Sequence, residues 1–198
     1  MPATHVLKVL ICPSDALPNN PIDIEASSGR QYGLTSYCGN AGTKSYRDNA
    51  AANLLRDGII VAINPGAGYG EMRVRMDDIK DGTSNTLLFG ERSHYDPIYE
   101  SPTASGGCGD KLQGWGWWAF RAPGDVTLSS LVALNYKVAA PCSTLKADER
   151  INAFGSQHSG GANFALADGS IRFIADSIPL ITLRALSTRN NQEVISDF

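Results

Sequence analysis

A histidine, nine intervening residues and an Asp-Gly pair, spanning residues 158–169, constrain this chain more than any other feature. The stretch opens with His158, Ser159, Gly160 and Gly161 and continues through the apolar run Asn163, Phe164, Ala165 and Leu166. It reaches Asp168-Gly169 and leads into Ile171, Arg172, Phe173 and Ile174. Glycine takes positive φ freely and aspartate tolerates it better than most residues, so Asp-Gly between two apolar runs predicts a β-hairpin. A strand rises about 3.3 Å per residue. If residues 162–167 run straight, His158 and Asp168 therefore lie at opposite ends of the hairpin. That separation argues against a catalytic dyad or a metal shared between them. The expected roles are structural, with Asp168 and Gly169 fixing the turn and His158 hydrogen-bonding the loop that precedes it.

The rest of the chain reads as a β scaffold with long loops. Two more Asp-Gly pairs, Asp57-Gly58 and Asp81-Gly82, precede the apolar runs 59–63 and 86–90. Residues 6–11 are strand-like and stop at Cys12, Pro13, Ser14 and Asp15, while 35–39 form a further short strand. Loop composition dominates 16–30 and much of 95–150, which read as insertions rather than a separate domain. Asp176 and Ser177 can cap a helix with Pro179 in its first turn and Leu180, Leu183 and Leu186 at helical spacing, ending near Thr188. The expected fold is one α+β domain over residues 1–198, an antiparallel sheet with a short C-terminal helix.

Charge and cysteines narrow the function classes. With 17 Lys and Arg scattered among 198 residues and a formal charge of -3, nothing forms a footprint for nucleic acid. No run of about 18 apolar residues spans a membrane. Cys12, Cys38, Cys108 and Cys142 contain no C-x-x-C pair, which argues against a structural zinc site built from close cysteine pairs. Three disulfide pairings are open. Cys12 with Cys38 and Cys108 with Cys142 close the shorter loops, and each would stabilise by roughly 3–4 kcal/mol. The alternative is four buried free thiols. Disulfides would imply an oxidising compartment.

Several segments together resemble one family. They are Cys12, Pro13, Ser14 and Asp15; Ser36 to Asn40 with Gly42; Ile79 to Thr86 leading to Gly90-Glu91; and Phe154 to Gly169, continuing to Leu186. The chain resembles the bacterial, planctomycete-type prepilin-like family of unknown function that carries a C-terminal H-x9-DG motif. The likeness runs from about residue 6 onward, interrupted at about 16–30 and 95–150. It implies a globular head similar to those of type II secretion pseudopilins and type IV pilins, which follow a leader, a processing site and a long apolar helix. This chain reads as the head alone, without that helix. The resemblance further implies a non-enzymatic subunit at the periplasmic or extracellular face of the cell envelope, partnered by other pilin-like subunits or secretion components and reaching the membrane only through the N-terminal helix.

Three clusters are candidate sites. Asp81, Gly82, Thr83, Ser84, Asn85 and Thr86 are rich in side chains that bond local backbone, and a self-bonded turn is expected. Major pseudopilins carry a calcium site, and Asp77, Asp78 and Asp81 could supply its oxygen ligands here. Glu91, His94 and Asp96 form a trio able to ligate zinc, with a solvated loop as the commoner explanation. Trp115, Trp117, Trp118 and Phe120, read as a strand, place two aromatic rings on each face. Core packing is the expectation for them, and an extracellular glycan-binding surface is the alternative.

Overall fold

The computed structural model describes residues 2–25, 27–45, 57–61, 74–118 and 123–193. Ala62, Ile63, Ala119 and Phe120, part of the expected runs, lie outside them. The architecture is α+β. A five-stranded sheet has the order β5-β3-β4-β6-β7, built from β3 (Tyr37–Asn40), β4 (Leu87–Glu91), β5 (Thr127–Leu128), β6 (Gly161–Leu166) and β7 (Ile171–Ala175). A separate two-stranded hairpin joins β1 (Ile22–Ile24) to β2 (Gln31–Gly33).

The expected hairpin is present as β6–β7, with Ala165 opposite Ile171 and Ala162 opposite Ile174. Its turn is held by the residues that predicted it. Gly169 has φ 85°, and Asp168 accepts hydrogen bonds from the Ser170 amide at 2.9 Å and hydroxyl at 2.7 Å. The turn of 81–86 is likewise self-bonded, through Thr86 Oγ1 to the Gly82 carbonyl at 3.0 Å. The two turns meet, since the Asp168 amide donates to the Thr83 carbonyl at 3.1 Å.

Alternation along β6 sends Ala162, Phe164 and Leu166 into the main core. There they pack with Leu87, Leu128, Phe154 and with Leu183 and Leu186 of helix α4 (Leu180–Ser187). β4 comes close to this core at Gly90, where a Cβ would fall 2.6 Å from both the Phe154 and Phe164 rings. Among the described residues, the opposite sheet face has no such cover. Phe89, Ala165 and Ile171 line up across β4, β6 and β7, and Phe173 follows opposite Asn163. Phe89, Ile171 and Phe173 are exposed.

Four expectations need correction. The sheet is mixed, because β5 pairs in parallel with β3; a two-residue strand inside an insertion carries no periodicity to announce it. Residues 8–10 form a 3-10 turn on the surface rather than part of a strand, with Leu7 and Val9 exposed. The 16–30 stretch contains β1. Helix α4 is preceded by Pro179 as its N-cap, with no side-chain cap from Asp176 or Ser177.

The 95–150 insertion carries a second small core of Tyr99, Leu112 and Val138, joined by Ile151 just beyond it and lying beside the Cys108–Cys142 disulfide. Buried Asp96 fastens it. One carboxylate oxygen caps α1 (Pro97–Glu100) by accepting from the Ile98 and Tyr99 amides. The other accepts from the Val138 amide at 2.9 Å and from Arg150 Nε at 3.0 Å, on α3 (Thr144–Asn152), the helix that follows α2 (Pro123–Val126) and β5.

Gly90→Ala should lower stability by about 1–3 kcal/mol, because the added methyl overpacks a site walled by two rings. The check is a fall in the urea midpoint with an unchanged slope. An unchanged midpoint would show that the rings yield without cost.

Candidate metal centre

Three segments far apart in the chain converge at the end of the β4–β6 pair. The turn 12–15 is closed by the Asp15 amide donating to the Cys12 carbonyl at 3.1 Å. The Asp15 carboxylate then clamps this turn to the sheet. It accepts from the Ser36 hydroxyl at 2.8 Å and the His94 amide at 3.0 Å, and lies 2.7 Å from His94 Nδ1. Burial alone would raise the Asp15 carboxyl, but the hydrogen bonds and charge of His94 outweigh it and hold it below its ordinary 3.8.

So fixed, the turn aims Cys12 and Ser14 at the His158 ring. His158 Nε2 lies 3.4 Å from Cys12 Sγ and 3.1 Å from Ser14 Oγ, while Ser14 Oγ is 3.0 Å from Cys12 Sγ. Glu91, the last residue of β4, completes the group. Its Oε2 accepts from the Asn163 amide at 2.6 Å, which turns Oε1 toward His158 Nε2 at 3.2 Å. That distance permits an ion pair with a protonated ring, yet the direction makes no hydrogen bond, and Oε1 is a buried oxygen without a hydrogen-bond partner. Glu91 is 1% exposed and Cys12 4%, whereas the His158 side chain is 35% exposed and opens the cluster to solvent.

The geometry discriminates between two chemistries. In a Cys–His–carboxylate triad the two ring nitrogens divide the work, one facing the nucleophile and the other the orienting acid. Here thiol and carboxylate both face Nε2. Donor atoms gathered about one point suit a shared cation instead. Tyr37, opposite Glu91 on β3, reports the same electrostatics. Its phenol is pushed up to about 12 by burial and by the neighbouring Cys12 and Glu91. Tyr37 also walls, with Leu10, Phe89, Asn163 and Ile171, an apolar groove of about 500 Å³ on the open sheet face.

The expected candidates are placed differently. His158 and Asp168 do sit at opposite ends of β6, each with its own partners. The His158 ring, however, bonds the 12–15 turn rather than the loop preceding it; only its backbone amide does that, donating to Ser156 Oγ. Glu91, His94 and Asp96 are buried, not solvated, and they point to three different partners: the cysteine cluster, Asp15 and Arg150. The calcium set does not converge. Asp77 is exposed, Asp78 accepts from the Arg75 amide, and the Asp81 carboxylate accepts from the Asn191 and Gln192 amides. Among the described residues, Cys12, Glu91 and His158 form the one group with three such ligand atoms together.

Cys12 and Cys38 are free thiols, which overturns their expected pairing, whereas Cys108–Cys142 is bridged as expected. The reason is the pleat. Successive strand residues face opposite sides. Cys12 lies beside Tyr37 on the open face, while Cys38 points into the core, where burial pushes its thiol up. Trp117 is 2% exposed, stacks on Tyr32 at 4.1 Å and donates to Asp23. Trp115 packs into the second core, and Trp118 donates to the His5 carbonyl. These rings do not form a strand; Trp117 makes an isolated bridge to Leu34, beside Gly116 at φ 98°.

The Cys12–Glu91–His158 group escaped sequence reasoning because 146 positions separate its ends. The available signal was that all three residues fall in the segments singled out together in the sequence.

Residues 1–180 match one family, described as a protein of unknown function (DUF1559). No curated protein and no solved structure matches the chain.

The linkage at Asp15 is testable. A depressed folded-state carboxyl stabilises fully above its unfolded value and loses that stabilisation as pH falls through the folded one. The stability lost in Asp15→Asn, measured from urea midpoints, should hold from neutral pH down to about 3.8 and shrink as pH falls below it. A difference that stays constant with pH would contradict this role.

Proposed function

The chain belongs to the DUF1559 family, and we propose that it is a non-enzymatic, pseudopilin-like assembly subunit whose open sheet face receives an apolar helix. The observation that carries this reading is the asymmetry of the sheet. One face is closed by α4 and the main core; the other presents exposed Phe89, Ile171 and Phe173 around an apolar groove. A contiguous exposed apolar surface of this kind marks a docking site. Ridges from a helix fill such a face well, since a sheet with one covered side is the common half of a two-layer α+β architecture.

A further observation favours an envelope setting. The Cys108–Cys142 disulfide fits an oxidising compartment. Among the described residues no helix is long and apolar enough to cross a membrane. The non-enzymatic part of the reading draws support from the ring geometry of His158, which does not divide thiol and carboxylate between its two nitrogens.

The test is a photo-crosslinking residue at Phe173 in the protein expressed in its native host, with adducts identified by mass spectrometry. The expected product is a crosslink to the apolar N-terminal helix of a pilin-type subunit, lost when Ile171→Glu is added. Crosslinks to no such helix, with the protein folded and exported, would contradict the proposal.

A further inference from the structure

We propose that Cys12 Sγ, His158 Nε2 and Glu91 Oε1 form a binding site for a zinc-class divalent cation. The inference stands apart from the assembly role and does not depend on it. Three independent features carry it.

The first is donor chemistry. A thiol, an imidazole nitrogen and one carboxylate oxygen form a mixed set that suits borderline-soft first-row ions, and it disfavours calcium or magnesium, which take oxygen ligands. The second is distance. Bonds of about 2.0–2.3 Å at tetrahedral angles put neighbouring ligand atoms about 3.3–3.6 Å apart. The sulfur and oxygen lie 3.4 and 3.2 Å from Nε2, and all three atoms fall within 4.8 Å of one another. The two edges to Nε2 match this spacing, and a rotation of the Cys12 or Glu91 side chain closes the remaining sulfur–oxygen edge onto an ion. The third is the oxygen itself. Glu91 Oε1 is buried, turned into the cluster by the Asn163 amide on its twin, and takes no hydrogen bond. Leaving a buried carboxylate oxygen unsatisfied is costly, and a cation satisfies it.

The surroundings orient the ligands. Asp15 clamps the turn that carries Cys12, and the Ser14 hydroxyl, 3.0 Å from the sulfur, is placed to donate to a metal-bound thiolate. Partners of this kind fix ligand direction in metal sites. The partly exposed edge of His158 gives the ion a way in.

The experiment uses the whole chain, freed of metal with a chelator but without reductant, so that the Cys108–Cys142 bridge survives. Zinc binding is followed by calorimetry and cobalt(II) binding by absorption. The expected result is one tight ion per chain, with the thiolate-to-cobalt charge-transfer absorption and the intense visible bands of a tetrahedral centre. Cys38→Ala should keep that spectrum. Cys12→Ser, His158→Gln and Glu91→Gln should each weaken zinc by more than about 100-fold, beyond the loss typical of an outer-shell partner. Near-ultraviolet circular dichroism reports whether each variant is folded. Should a variant not fold, the wild-type spectrum still decides. No binding, a cobalt spectrum without the thiolate absorption, or full affinity in folded Cys12→Ser would each overturn the proposal.

Discussion

The buried carboxylate of Glu91 is the interaction on which this structure turns. A charge taken out of water must be satisfied by partners built around it. One oxygen is held by the Asn163 amide of β6, which extends the β4–β6 pairing to its last residue. The other faces His158 and the cysteine of the 12–15 turn. Three segments that share no local sequence logic meet around it at one end of the sheet, the 12–15 turn held there by Asp15. At the far end, the Asp168-Gly169 turn rests on the turn of 81–86, and Asp81 in turn receives the backbone of Asn191 and Gln192. The motif residues thus close both ends of the two central strands.

How much of this was legible depends on the range of the interaction. The β6–β7 hairpin and the self-bonded 81–86 turn were, because Asp168, Gly169 and Thr86 bond neighbours a few residues away. Helix α4 was readable from Leu180, Leu183 and Leu186, which repeat at its period. The parallel β5 edge was not, since two residues cannot display a period. The Cys12–Cys38 pairing failed for a related reason. Loop length favours it, but only the finished sheet decides that Tyr37 and Cys38 face opposite sides. The motif around His158 is legible as a signature, but its partner is not. The ring looks across to residue 12, not back along its own loop.

The two sheet faces divide the molecule's work. The inner face spends its apolar residues on α4 and Phe154, and Gly90 stays bare so that two rings can close over it. The outer face keeps large apolar residues in solvent beside the Cys12–Glu91–His158 group. The insertion is a satellite with its own small core and disulfide, fastened through Asp96 and Arg150 and tied to the sheet edge by β5. Of its tryptophans Trp115 packs against that core, whereas Trp117 stacks on Tyr32 of the β1–β2 hairpin and bridges Leu34, and Trp118 donates to the His5 carbonyl.

A double-mutant cycle on Glu91→Gln and His158→Gln, read from chemical unfolding, tests the central role of the buried carboxylate most directly. Residues that share one network couple by about 0.5–3 kcal/mol, while independent ones add within about 0.3–0.5 kcal/mol. The account predicts coupling in the first range, with the double variant losing less than the sum of the single losses. Simple additivity would contradict it, and would mean that β4 and the 158 loop are held in place separately.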